Sequence, residues 1–192
     1  MRSLVVTAHP SAKGFTHRIA AAYVQAARAA GKDCDVLDLY APENRQDFLK
    51  FETQREFAPD ANRARFQKMI TDADELVFIH PLWWGSAPAI FKNFFDQNFS
   101  TGFAFRFKKG PFGTNIPEGL LSPRTAKIYV TCDAPGFFYA IMGNPFIRWW
   151  KKFCLGFVGI RTTQWRVFAQ RSKATPEQLE KWLALVAQDA AR

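Results

Sequence analysis

Three short stretches concentrate the residues able to do chemistry. The first, His9-Pro10-Ser11-Ala12-Lys13-Gly14-Phe15-Thr16-His17-Arg18, mixes hydroxyls, imidazoles and cations immediately ahead of an alanine-rich run. A loop of that kind, opening a helix, can receive a phosphate on backbone N–H groups, with the helix dipole adding favourable field. It is neither the glycine-rich dinucleotide fingerprint, since Gly14 stands alone, nor the lysine-bearing nucleotide loop. A plainer reading has Thr16 capping the helix and His9 hydrogen-bonded within a turn. The second stretch, Pro81-Leu82-Trp83-Trp84-Gly85, sets two indoles side by side before the small residues Ser86 and Ala87. If its backbone is extended, neighbouring side chains point to opposite sides, and one indole faces a cleft while the other packs down. The third, Thr131-Cys132-Asp133-Ala134-Pro135-Gly136, supplies small groups and a carboxylate, with a phenol at Tyr139.

Exposed N–H groups beside an aromatic plane suit an isoalloxazine ring, which needs hydrogen bonds at its pyrimidine edge and a flat apolar contact. Burial of both indoles in a core or subunit contact is the competing reading. Other chemistries fail by inventory. The 3 histidines have no metal-ligand spacing. No Gly-x-Ser-x-Gly elbow and no paired carboxylates stand out, and Cys132 has no evident base to make it a nucleophile. A protein poor in reactive side chains fits cofactor chemistry, in which the bound group carries the redox step.

The elements that must position these stretches alternate. Leu4 to Thr7 reads as a strand buried on both faces, and residues 15 to 30 as a helix stopped at Gly31. Residues 34 to 39 form a second, more edge-like strand. A polar stretch, 41 to 58, carries no clear pattern, and a helix is expected over about 59 to 72. Glu75 to Ile79 is the third strand and Ala87 to Phe99 the next helix, with Pro88 near its first turn. The span 100 to 124 is long for a connection and implies an excursion. Ala126 to Thr131 and 162 to 168 are the fourth and fifth strands, with an aromatic, basic, helical segment at 144 to 157 between them. Thr175-Pro176-Glu177-Gln178 starts a last helix, with Leu179, Trp182, Leu183 and Val186 on one face. Strand–helix units from end to end predict one three-layer α/β domain over residues 1 to 192 around a parallel sheet. Ligands of such sheets bind beyond the carboxyl ends of the strands, where all three stretches fall.

Composition narrows the rest. A chain of 192 residues with 48% hydrophobic content has enough for one sizeable core. The net charge of +9 favours encounter with anions, yet the basic residues are scattered and no nucleic-acid-binding signature accompanies them. Nucleic acid is therefore not the expected partner. The 3 cysteines are far apart and odd in number, which fits a reducing compartment. With no apolar run near membrane length and only a short N-terminal lead, a cytoplasmic protein without a membrane span is expected.

Four segments carry a resemblance: "VTAHPSAKGFTHRIA", "VFIHPLWWGSAPAIFKNFFDQNFSTGFAFRF", "IPEGLLSPRTAKIYVTCDAP" and "CLGFVGI". In these the chain resembles the flavodoxin-like NAD(P)H:quinone oxidoreductases. The resemblance implies a five-stranded parallel sheet in the order 2-1-3-4-5 and a homodimer with sites at the subunit boundary. It also implies a noncovalent flavin, FMN or FAD with a lean to FMN, and NAD(P)H as co-substrate. Hydride would pass from the nicotinamide to the flavin and then to a quinone or related electrophile. By motif, His9, Phe15, Thr16 and Arg18 would hold the flavin's phosphate end. Pro81, Leu82, Trp83, Trp84 and Gly85 would hold the ring, with Thr131, Cys132 and Asp133 at its other edge, and Tyr139 would be the catalytic phenol. The chain departs from the family pattern at Thr16, usually Asn, and at Cys132-Asp133-Ala134, usually Thr-Gly-Gly. It also has no histidine in 140 to 147, where the mammalian enzymes carry one. These departures motivate an alternative, a flavin-binding ancillary subunit of a transport protein.

Overall fold

Leu4, Val5 and Val6 are all at most 1% exposed, because the strand that carries them lies inside a sheet covered on both faces. In the computed structural model, which describes residues 1–53, 56–58 and 60–192, this strand, β1 (Arg2–Thr7), pairs in parallel with β2 (Asp33–Asp38) and β5 (Glu75–Pro81). Beyond β5 lie β8 (Thr125–Thr131) and β9 (Arg161–Phe168), giving the order β2-β1-β5-β8-β9, all parallel. Counted among these five alone, that is the expected 2-1-3-4-5.

Alternation along the strands feeds two cores. Val5, Val77, Ile79 and Tyr129 face α1 (Phe15–Ala29) and α6 (Pro176–Ala191). Leu4, Val6, Leu76, Phe78 and Ile128 face α2 (Arg63–Asp72) and α3 (Ala89–Asn98), with Trp150 and Leu155 from the segment after β8. The helix ends follow their local chemistry. α1 stops where Gly31 N donates to Arg28 O and Lys32 N to Ala27 O, the paired bonds of a Schellman end. α6 starts where Thr175 Oγ1 accepts from Gln178 N at 3.3 Å, with Pro176 in its first turn.

Five segments differ in detail from expectation. Helix α2 begins at Arg63 because Asp60 Oδ1 accepts from Asn62 N at 3.0 Å and holds a turn there; Pro59 lies outside the described residues. Helix α3 begins at Ala89 rather than Ala87, because Pro88 is extended (φ −55°, ψ 151°) and stands immediately ahead of the first turn. The excursion at 100 to 124 is an antiparallel hairpin, β6 (Phe105–Lys109) with β7 (Asn115–Gly119). The polar stretch before α2 contains a smaller one, β3 (Phe51–Thr53) with β4 (Glu56–Phe57). The helical segment after β8 is broken into α4 (Gly136–Ile141), α5 (Pro145–Arg148) and a π-helical turn over Trp149–Leu155, because Asn144 takes φ 48° between the first two. Among the described residues no helix is long and apolar enough to cross a membrane.

Candidate functional site

The carboxyl ends of β1, β5, β8 and β9 open onto one cavity of about 510 Å³. From the first loop, His9, Phe15 and Thr16 line it, joined by Ser11, Lys13 and Gly14. His9 is held locally, its Nδ1 3.1 Å from Ser11 N. Its ring passes so close to Gly14 that a Cβ there would stand 2.6 Å from Nδ1, so any side chain at this position would force the imidazole to move. Gly14 is also the residue ahead of α1, and no side chain caps this helix. Thr16 is therefore not the cap of the plainer reading: it sits inside the first turn, 1% exposed, on the cavity wall. The N–H groups of Phe15 and Thr16 precede any helical partner, as those of every first turn do, and no acidic residue shares that turn. Phe15 packs below, its ring 5.9 Å from Trp182 and 6.3 Å from Phe168.

Arg18 does not join them. Its Nη2 is 2.6 Å from Glu180 Oε1 on α6, and it lies outside the cavity lining. One helical turn carries it round to the α6 side, where a carboxylate holds it. His17 turns the other way, with Nε2 3.0 Å from Asp38 Oδ2.

The second loop follows β5, every residue of which is buried. His80 belongs to the core: it is 0% exposed, its Nδ1 lies 2.8 Å from Pro81 O, and its ring stacks on Trp150 at 5.5 Å. Burial pulls its pKa down to about 4, so it is neutral at neutral pH. Pro81, Leu82 and Trp83 line the cavity. The backbone then departs from the extended form. Trp83 N and Ser86 N each donate to the other residue's carbonyl at 2.9 Å, and Trp84 and Gly85 take φ 51° and 73°. Two positive φ values at the centre define a two-residue type I′ turn. The turn places Trp84 at its apex, fully exposed, with Gly85 beside it and neither on the cavity lining. Trp83 alone faces inward, its ring 6.4 Å from that of His9.

The third loop supplies Thr131, Cys132, Asp133 and Ala134, and α4 supplies Tyr139. Leu82 N donates to Thr131 O at 2.7 Å, tying the second loop to the third. Cys132 is buried, its thiol pKa raised first by burial and then by Asp133, which keeps it protonated and unfit as a nucleophile. Burial likewise raises Tyr139, with Cys132 adding to the effect. Its phenol stays protonated at neutral pH and offers an O–H donor to whatever fills the cavity. The Asp133 carboxylate is already engaged, Oδ1 accepting from Ser172 N at 2.7 Å.

Of the thirteen residues singled out from the sequence, His9, Phe15, Thr16, Pro81, Leu82, Trp83, Thr131, Cys132, Asp133 and Tyr139 thus surround one space, while Arg18, Trp84 and Gly85 stand outside it. Arg171, which also lines the cavity, was missed. The rule that ligands bind beyond strand ends points to it, since it follows the fifth strand by three positions, but no pattern of residue types marks it there.

The arrangement fits a flavin. The uncapped N–H groups at the start of α1, with Thr16 and Lys13 beside them, suit an anion, Pro81, Leu82 and Trp83 supply an apolar wall, and Thr131, Tyr139 and Arg171 add polar groups from the ends of β8 and β9. The chain is 32% identical over 137 residues to NAD(P)H dehydrogenase (quinone) 1 of Cavia porcellus, covering 58% of this chain and 49% of that protein. It spans about half the length of the curated relatives it matches. Among solved structures it is similar to Smu.1420 from Streptococcus mutans UA159, with a TM-score of 0.81 and 28% identity over 100% of this chain and 99% of that one. An NAD(P)H:quinone oxidoreductase from Methanothermobacter marburgensis superimposes with a TM-score of 0.83 over 100% and 98% of the two chains; at 20% identity it speaks to the fold alone. A family model, Flavodoxin_2, described as a flavodoxin-like fold, matches residues 1–188. With that match and the sheet order that accompanies it, the chain belongs to the Flavodoxin_2 family.

Proposed function

We propose that this protein is a flavin-dependent NAD(P)H oxidoreductase acting on quinones or related electrophiles, with FMN as its flavin. One observation carries the reading: a single cavity joins an uncapped helix start beside Lys13 to an aromatic and hydroxyl-bearing wall. Its volume of about 510 Å³ falls within the roughly 300–1,000 Å³ of small-molecule sites. The curated relatives named NAD(P)H dehydrogenase (quinone) support the same reaction class.

A bound flavin would supply the hydride-accepting and hydride-donating chemistry between nicotinamide and acceptor. The chain's own residues bind and orient. The N–H groups of Phe15 and Thr16, with the Thr16 hydroxyl, would take the phosphate end. Pro81, Leu82 and Trp83 would exclude water from one side of the ring. Tyr139 would keep its proton on Oη and donate to an oxygen of the ring or of the acceptor. Asp133, whose presence favoured an ancillary role, has its carboxylate turned to Ser172 N, which supports turnover over that alternative. A homodimer completes the proposal, supported by large exposed apolar side chains on the β6–β7 hairpin and α4, including Phe107, Phe112, Phe137 and Ile141.

Purified protein is expected to be yellow and to oxidise NADH or NADPH when a quinone is added. Colourless protein that takes up neither FMN nor FAD overturns the proposal.

A further inference from the structure

We infer that α4 docks on an anionic lipid surface, with Phe138 and Met142 entering the headgroup layer and nearby cations meeting lipid phosphates. Docking of this kind needs no flavin. Its use, admitting an acceptor dissolved in the bilayer to the cavity, rests on the function proposed above.

Helix α4, with the sequence GFFYAI, is apolar and yet contains no buried residue. A helix that is apolar all round belongs in a core or a membrane. Phe137 is 67% exposed, Phe138 49%, Ile141 80% and Met142, just past the helix end, 58%. Residues four apart share a helix face, so these side chains form two stripes, Phe137 with Ile141 and Phe138 with Met142. The homodimer proposed above draws on the first stripe. The second stays uncovered at the border of the cavity, since the Phe138 ring lies 5.5 Å from that of Tyr139, which lines it.

The charge around this helix has one sign. No Asp or Glu occurs between Asp133 and Glu177, whereas Arg148, Lys151, Lys152, Arg171 and Lys173 all fall there and are all exposed. Ion pairs among the described residues include none of these five. They reach α4 from both of its ends. At its start, a Cβ added to Gly136 would stand 3.8 Å from that of Ala169, two residues before Arg171. At its finish, Asn144 N donates to Tyr139 O at 2.8 Å and Arg148 N to Asn144 O at 3.2 Å, while the Phe146 ring lies 5.2 Å from that of Tyr139. Arg148 closes α5, and Lys151 and Lys152 follow in the π-helical turn.

From 137 to 153 every exposed residue is apolar, glycine, proline or cationic. A protein partner would need hydrogen bonds to fix its register, and this surface offers no exposed neutral polar or acidic side chain to make them. A bilayer needs only apolar tips at the acyl boundary and Lys or Arg among the phosphates, which is what the segment presents.

The test is co-sedimentation of the full chain with vesicles of phosphatidylcholine alone or with about one quarter phosphatidylglycerol, at low and high salt. Binding should require the anionic lipid and weaken with salt. Phe138→Ser should lower the partition about tenfold, and Arg148→Gln and Lys151→Gln about fivefold each. Arg2→Gln removes the same charge at the start of β1, the end of the sheet away from the cavity, and should change it by less than about twofold. The inference is overturned if anionic vesicles are not bound, or if Phe138→Ser binds them as wild type does. Equal weakening by Arg2→Gln and Arg148→Gln would mark adsorption by net charge alone and also overturn it. So would loss of vesicle binding by Phe138→Ser only in step with loss of the dimer, which would make the stripe a subunit contact. Docking is read without turnover, so a protein that binds these vesicles but reduces no quinone leaves the inference standing and removes only the use given to it.

Discussion

Gly14 carries no side chain because the His9 ring occupies the space one would take. Its backbone, at φ −67° and ψ 154°, would accept alanine, so Gly14→Ala should fold. The added methyl would push His9 off Ser11 and into the mouth of the cavity. Flavin affinity should drop by about tenfold, equivalent to roughly 1.4 kcal/mol, with the melting temperature almost unmoved. Parallel titration and thermal unfolding check this. His80 gives a second residue-scale prediction. Its pKa is about 4 in the folded chain against 6.5 for a free imidazole, so between those values the unfolded state binds the extra proton. Stability is therefore fully present above about pH 6.5 and is lost as pH falls toward 4, by at most about 1.4 kcal/mol per pH unit. His80→Leu should flatten that slope in denaturant unfolding measured at pH 7.5, 6 and 5. An unchanged slope would assign the acid sensitivity elsewhere.

At the scale of elements, α6 is held to the base of the sheet by buried charge as well as by apolar contact. Asp189, 3% exposed, accepts from Arg166 Nε at 2.5 Å and Nη2 at 2.7 Å, and from Tyr129 Oη at 3.2 Å. Next to it Lys127 bridges Glu75 Oε2 at 3.1 Å and the Asp189 carbonyl at 2.6 Å. Removing one partner strands the other, so Asp189→Ala should destabilise the fold by about 3–5 kcal/mol, seen as a large fall in melting temperature. The five sheet strands, α1 and α6 were legible in the sequence because apolar periodicity and end signals agree there. The β6–β7 hairpin was visible only as an unexplained length, since a two-stranded excursion has no covered face to impose a long alternating pattern. The site was legible to the extent that loop position predicts it. Arg18 misled because its partner, Glu180, lies 162 residues away, and Trp84 and Gly85 because the sign of φ is not written in residue type.

For the whole molecule, charge and exposed apolar surface make separate demands. A net charge of +9 keeps copies apart at long range, while Phe107 at 55% and Phe112 at 104% exposure ask to be covered. Sedimentation equilibrium should return twice the chain mass of 21.9 kDa at moderate salt, and Phe107→Glu should shift the population toward the single chain. A wild-type protein that sediments as one chain removes the homodimer from the proposal. The apex of the type I′ turn has an optical consequence. Among the chain's 6 tryptophans, Trp84 is fully exposed and Trp150 is at 0% exposure, so the first should emit as a water-bathed indole and the second as a buried one. A soluble quencher reaches the first and spares the second until the chain unfolds, and a ligand in the cavity dims Trp83 between them. Variants that keep only Trp83 or only Trp150 would therefore report cavity occupancy and unfolding separately, with no label attached.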